Sequence, residues 1–492
     1  MSDPNQNRTL LSQALWPLFS VAQTQAIEQQ TQASLPAHTL MQRAGLATAQ
    51  LALAIAPHAR QIWIACGPGN NGGDGLEAAI HLQAWGKHPV VTWLGQESVG
   101  PTDAQHAWRR AKAAGVSFAE QPPAQFDLAI DALLGIGAQR APESTMAQWL
   151  QRLYTSTAPV LCVDIPTGLL ADTGEWLGTS APLSSGLERH TLSLLTLKPG
   201  LFTADGRDAA GKVWFNDLGV SASHAPMGWL QQAIDTAVVK RHNSHKGSFG
   251  DVAVIGGASG MTGAALLAGL AALRGGAGRV FVGLLDQNAQ HAMTAAHPSL
   301  MMRCPAELDL QGATVVCGCG GGHDIHAFLP NVLSSSKQLV LDADALNAIA
   351  RDTGLQTLLK KRHARLRPTV LTPHPLEAAR LLNSTVKDVQ HNRLLAAQKL
   401  ADSFECVVVL KGSGSIVASP TQAPVINGSG NARLATAGTG DVLAGLIGAS
   451  IASRDDVFSA TCQAVFKHGQ LADAWPINGP ALDASQLAAS IR

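Results

Sequence analysis

Cys66-Gly-Pro-Gly-Asn-Asn-Gly-Gly-Asp-Gly75 follows the apolar run Gln61-Ile-Trp-Ile-Ala65 and precedes a helix-like segment, Leu76 to Trp85. The order is strand, glycine loop and helix start, the arrangement that opens a βαβ unit. Five glycines are expected to give positive φ and close approach to the peptide N–H groups, and the helix N-terminus behind them favours an anion such as a nucleotide phosphate. The spacing is neither GxGxxG nor a loop ending in GK[ST], so neither the generic dinucleotide fingerprint nor a P-loop accounts for it. Asn70, Asn71 and Asp74 give the loop more polar chemistry than a turn requires.

Outward from this loop, short Val/Ile/Leu runs alternate with helical patterns. Candidate strands are Ile62 to Ala65, Val90 to Trp93, Leu128 to Ile130, Val160 to Val163 and Thr191 to Leu195, with a helix over Thr39 to Ala56. Between about Gly219 and Ser248 the pattern lapses, and the boundary is placed at 225/226, spanned by a helix from Met227 to Thr236. A second series begins at Asp251-Val-Ala-Val-Ile-Gly-Gly257. It continues through Val280 to Val282, Thr314 to Cys317, Gln338 to Leu341, Thr369 to Leu371, Val407 to Leu410 and Ser415 to Val417. The expectation is two α/β domains, residues 1–225 and 226–492, with ligands at the carboxyl ends of parallel strands.

Composition narrows the function classes. The 492 residues carry 35 Lys+Arg and 35 Asp+Glu, so no net field attracts nucleic acid or a membrane surface. The start is polar and no apolar run reaches membrane-spanning length, which favours a cytoplasmic protein with small-molecule ligands. Seven scattered cysteines read as free thiols, and Cys317 and Cys319 lack metal spacing.

Two further strand ends carry carboxylates: Asp131 in Ala129-Ile-Asp-Ala-Leu-Leu-Gly-Ile-Gly137 and Asp164 in Cys162-Val-Asp-Ile-Pro-Thr-Gly168. Singly, each could be a cap or turn residue; beside the glycine loop they suggest a site. With Thr196-Leu-Lys-Pro-Gly200, these motifs resemble the NAD(P)H-hydrate epimerase family over roughly residues 8 to 220. The resemblance implies a Rossmann-like three-layer α/β/α domain. It implies substrate contact at Asn70, Asn71, Gly72, Gly73 and Asp74, at Gly135, Ile136, Gly137, Ala138, Gln139, Arg140 and Ala141, and at Asp164 as acid/base. It also implies K+ held by Asn71, Asp131 and Thr167, the last being serine in the usual pattern; amide, carboxylate and hydroxyl oxygens suit a hard monovalent cation. Glu77, Ala79 and Ile80 depart from the usual Val and Arg of the following helix.

Late in the chain come Val407-Val-Val-Leu-Lys-Gly-Ser-Gly-Ser415 and Ala435-Thr-Ala-Gly-Thr-Gly-Asp-Val-Leu-Ala-Gly445. The GTGD at 438–441 opens an apolar helix whose N–H groups suit a phosphate, with Asp441 placed to accept the proton of an attacking hydroxyl. These residues resemble the ribokinase-like superfamily. His245-Lys-Gly-Ser-Phe-Gly250, Ile255-Gly-Gly-Ala-Ser-Gly-Met-Thr-Gly-Ala264, Leu341-Asp-Ala-Asp-Ala-Leu-Asn347 and Leu371-Thr-Pro-His-Pro-Leu-Glu377 narrow the resemblance to its ADP-dependent NAD(P)H-hydrate dehydratase branch. That implies a hydrated substrate lined by Ala264, Gly320, His374 and Asp441. It implies a nucleotide held by Lys411, Gly412, Ser413, Gly414, Ser415 and Gly440, assistance by Mg2+, and ADP converted to AMP and phosphate. Gly318-Cys-Gly-Gly-Gly322 stands where the pattern has GPGLG.

The combined expectation is a bifunctional repair enzyme acting on hydrated NADH or NADPH, able to self-associate and binding neither nucleic acid nor membrane. Two alternatives use the same motifs. One is a small-molecule kinase in the C-terminal half; the other is a catalytically silent N-terminal module that binds nucleotides, RNA or proteins.

Overall fold

The computed structural model describes residues 6–178, 188–233, 242–454 and 456–492. It divides into two compact units, Met1–Leu230 and Gln231–Arg492. The expected linker helix is not formed over its first part: Gly228–Gln231 is a strand, and most of its remainder lies outside the described residues. Gly228 weakens a helix here, and Trp229 and Leu230 suit an extended, half-buried segment.

In the first unit the sheet runs Arg8–Thr9, Lys212–Asn216, Arg189–Leu194, Val160–Val163, Leu128–Ala132, Gln61–Cys66, His88–Trp93, Ser117–Phe118. Only the Arg8–Thr9 pairing is antiparallel. Strand residues alternate between two buried clusters. Ile62, Ile64, Leu128 and Ile130 pack on one side, while Trp63, Ala65 and Ala129 pack on the other. Both faces are therefore covered, which gives three layers. From Gln61–Cys66 the chain builds the sheet in one direction and then returns to build it in the other from Leu128–Ala132. The switch point, where such sheets open a crevice at their carboxyl ends, lies between these two strands.

In the second unit the order is Met301–Arg303, Arg279–Leu284, Asp251–Gly256, Thr314–Cys317, Gln338–Leu341, Thr369–Leu371, Val407–Leu410, Ile416–Ser419, Gln422–Asn427. Pairing is parallel up to Val407–Leu410 and antiparallel beyond it. Here the switch point lies between Asp251–Gly256 and Thr314–Cys317. The Thr439–Ala452 helix packs tightly because its glycines allow it. A Cβ on Gly445 would stand 2.0 Å from Ala268 O, and one on Gly448 2.5 Å from Val316 Cγ2.

The glycine loop differs from the sequence expectation. The helix begins at Asn70, inside the loop, and none of Gly67, Gly69, Gly72, Gly73 and Gly75 has positive φ. Most are required for space instead. A Cβ would lie 1.8 Å from Leu133 O at Gly67, 2.0 Å from Gly67 O at Gly72 and 2.5 Å from Met41 Cε at Gly73. These contacts draw the first helical turn down onto the strand ends. The described residues include no helix long and apolar enough to cross a membrane.

Candidate functional sites

At the first switch point, Gly67 N donates to Ala132 O at 3.0 Å, joining the glycine loop to the turn after Leu128–Ala132. Above them opens a cavity of about 380 Å3. Asn70, Asn71, Asp74, Gly135, Ile136, Gly137, Ala138 and Asp164 all line it, whereas Gln139, Arg140 and Ala141 are exposed beyond it. Gly72 and Gly73 support the loop from behind.

Asp164 follows the Val160–Val163 strand with φ +65°, a conformation that turns its carboxylate into the cavity mouth. Its Oδ1 accepts from Leu194 N at 3.1 Å and from Lys198 Nζ, which also donates to Leu194 O at 2.6 Å. Lys198 is fully buried, so the ion pair is held in a dry wall of the site. Sequence reasoning quoted Lys198 within TLKPG and gave it no role. Glu28 was missed altogether, because the Val21–Gln32 helix carries no motif. Burial, and then the nearby Asp164 charge, raises the pKa of both Glu28 and Asp74, with Asp74 well above the usual carboxylate range. Burial thus works against ionisation of both carboxyls beside the ion-paired Asp164, more so for Asp74.

Beneath the cavity, Asp131 accepts from Thr167 Oγ1 at 2.7 Å, Leu133 N at 3.2 Å and Thr167 N at 3.1 Å. Asn71 is buried alongside, and its amide lies about 3.5 Å from the position a Cβ on Gly135 would take. Burial raises the Asp131 pKa despite the bonds from Thr167 and Leu133. A dry carboxylate with amide and hydroxyl oxygens nearby fits a hard monovalent cation.

In the second unit, consecutive strand ends converge. Asp342 follows Gln338–Leu341, Thr372 and His374 follow Thr369–Leu371, and Lys411 follows Val407–Leu410. Asp342 Oδ1 accepts from Thr372 Oγ1 and from Lys411 Nζ, both at 2.7 Å. Burial works against the Lys411 ammonium, but Asp342 and Glu377 more than offset it and raise its pKa. A Cβ on Gly440 would stand 3.4 Å from Lys411 Nζ, so the two glycine loops meet at this lysine.

Asp441 lies in the first turn of the Thr439–Ala452 helix. Desolvation, then the Asp342 charge, pushes its pKa up to about 6. A reaction that used Asp441 as its base should therefore slow as pH falls through about 6, above the range of an ordinary carboxylate, which a pH–rate profile checks.

Ala264 and Gly320 are neighbours: a Cβ on Gly320, whose φ is +57°, would lie 2.8 Å from Ala264 Cβ. His374 caps the Pro375–Leu381 helix. Its Nδ1 accepts from Leu376 N at 3.1 Å and Glu377 N at 3.4 Å, and burial lowers its pKa, favouring neutral imidazole. Glu377 Oε2 accepts from His374 N at 2.8 Å, and burial pushes its pKa up to about 7.

Lys411 to Ser415 form a turn fastened by Arg393, which donates to Lys411 O at 3.1 Å and Leu410 O at 3.3 Å. Gly412 has φ +139°, and a Cβ there would lie 2.9 Å from both Arg393 terminal nitrogens. Gly412→Ala should strain the turn by about 1–3 kcal/mol and weaken any nucleotide phosphate held by it, which titration of the protein with ADP measures.

The profile of the family described as NAD(P)H-hydrate dehydratase matches residues 252–492, and that of the YjeF-related protein N-terminus matches residues 37–200. The bifunctional NAD(P)H-hydrate repair enzyme Nnr of Escherichia coli K12 is 37% identical over 460 residues, covering 89% of this chain and 85% of its own. The ADP-dependent (S)-NAD(P)H-hydrate dehydratase of Neisseria meningitidis serogroup B is 42% identical over 240 residues, covering 48% of this chain and 80% of its own. Among solved structures, an ADP/ATP-dependent NAD(P)H-hydrate dehydratase of Bacillus subtilis, co-crystallised with ATP and Mg2+, is 30% identical. It covers 51% of this chain and 91% of its own, with a TM-score of 0.45.

Proposed function

The chain belongs to the bifunctional NAD(P)H-hydrate repair enzymes, and from that premise we propose that each unit carries one step of the repair. Residues 1–225 epimerise the R and S forms of hydrated NADH and NADPH, and residues 226–492 dehydrate the S form with ADP. The observation that carries this division is the pair of separate strand-end sites, one built around Asp164–Lys198 and the other around Asp441–Asp342–Lys411.

In the first site the hydrated nicotinamide ring enters the cavity and Asp164 takes the ring hydroxyl proton as the adjacent C–N bond opens to an aldehyde and an N–H, then returns a proton to the oxygen as the nitrogen closes on the other face, with Lys198 holding the carboxylate in place. Asp74, whose ionisation burial strongly disfavours, would donate a hydrogen bond to the ring's polar groups, with Glu28 beside it in the same wall. Asn71, Asp131 and Thr167 would hold K+, whose charge would compensate the buried Asp131.

In the second site Asp441 takes the proton of the substrate hydroxyl while that oxygen attacks the terminal phosphorus of ADP and AMP leaves. Phosphate, a far better leaving group than hydroxide, then departs with the oxygen, and loss of a ring proton restores the dihydropyridine. Lys411 and the Gly440 N–H, which adjoin one another, would stabilise the charge of the transferred phosphoryl group. Mg2+ would supply further charge neutralisation on the nucleotide phosphates. Phosphorus NMR tests the scheme: ADP should become AMP and free phosphate only when hydrated substrate is present. A stable phosphorylated product would instead identify a kinase.

A further inference from the structure

We propose that Cys319, Asp342 and Asp441 form a binding site for a thiophilic divalent cation, Zn2+ or Co2+, that switches off the C-terminal unit. The Cys319 thiol and one carboxylate oxygen from each aspartate all lie within 4.8 Å of one another. Three different segments bring them together: the turn after Thr314–Cys317, the end of Gln338–Leu341 and the start of the Thr439–Ala452 helix. Tetrahedral coordination with one sulfur and two oxygens has edges of roughly 3.3–3.6 Å, so the three atoms need to close by no more than about 1.5 Å.

The donor set is selective. Mg2+ takes oxygen ligands and keeps its waters, whereas a mixed sulfur and oxygen set suits Zn2+ and Co2+. Three protein ligands leave a fourth position open toward the partly exposed side of Asp441. Cys317, two residues earlier, is also buried but is not part of the cluster, so Cys319 alone provides the sulfur. Lys411 and Thr372 both engage Oδ1 of Asp342, and neither bond involves its Oδ2.

On binding, the S–H bond of Cys319 breaks, a sulfur–metal bond forms and the proton passes to solvent. One thiolate and two carboxylates against a divalent ion leave a single negative charge, which the adjacent Lys411 ammonium balances. A metal ion bound to one Asp441 oxygen withdraws charge from the carboxylate and lowers its basicity toward the substrate proton. The inhibitory consequence rests on the role proposed for Asp441; the binding itself does not.

The test titrates the intact protein with Co2+ and follows the thiolate-to-cobalt charge-transfer absorption, with Zn2+ added afterwards as competitor. In parallel, both activities are measured against Zn2+ at fixed Mg2+, each variant relative to its own metal-free rate. The expected result is one cobalt bound with a charge-transfer band that Zn2+ displaces and that disappears in Cys319→Ala. Zn2+ should slow dehydration but not epimerisation. The inhibitory concentration should rise in Cys319→Ala, and in Asp342→Asn as a second variant, by at least the ~10–100-fold that losing even an outer partner of a metal costs. Persistence of the band in Cys319→Ala, or no band in the intact protein, would overturn the site. A band without loss of dehydration would retain the metal site and instead count against Asp441 as the base.

Discussion

Asp441→Asn should lower ADP-dependent dehydration by about 10²–10⁴-fold, the range expected for loss of a general base, while epimerisation by the same chain continues unchanged. The asparagine keeps the volume and hydrogen-bonding shape at the start of the helix but cannot take a proton. Asp441 is also costly to ionise where it stands, because it is desolvated and faces Asp342. Replacing it with a neutral amide should therefore preserve or raise thermal stability at neutral pH while activity falls. This opposite movement separates a catalytic role from a structural one, since a merely structural carboxylate would lose both together. Following AMP release and the melting temperature of the same preparation measures both.

Lys198→Met should have a comparable effect on the other activity, lowering epimerisation by about 10²–10⁴-fold and leaving dehydration of the S form intact. The ammonium is fully buried, donates to Asp164 Oδ1 and is anchored to Leu194 O. Without it Asp164 faces the Glu28 and Asp74 side of the cavity with no cation to fix its rotamer or offset its charge. Breaking a buried pair commonly costs about 3–5 kcal/mol, so the first unit should also melt earlier. Lys198→Arg is the control: charge returns, but the planar guanidinium does not fit the space of the ammonium, so recovery should be partial.

The central strands were legible because they pair in parallel and are buried on two faces, so their sequences are short unbroken apolar runs; Thr314 to Cys317 and Val407 to Leu410 are found with the bounds expected. The edge strands Arg8–Thr9, Ser117–Phe118 and Met301–Arg303 gave no such signal, being two or three residues long. Gly67 to Gly75 marked a ligand loop, but the reason for its glycines was misread. A sequence shows where glycine is, and only the fold shows that Gly72 needs no Cβ because Gly67 O lies 2.0 Å from where one would sit. The site residues that could be found sit in motifs at strand ends. Glu28 was silent and Cys319 read only as a free thiol, because their surroundings come from neighbours far away in the chain, Asp164 for one and Asp342 with Asp441 for the other.

Two independent sites in one chain should together repair both epimers. The most direct measurement follows reduced-nicotinamide absorbance on a mixed-epimer preparation of hydrated NADH with ADP, Mg2+ and K+, using the intact protein and Asp164→Ala in parallel. Near-complete recovery of NADH is expected from the intact protein. In the variant, a fast phase should stop at the S fraction and be followed only by slow spontaneous epimerisation. Equal, complete and rapid recovery by both proteins, or no recovery by the intact protein, would contradict it.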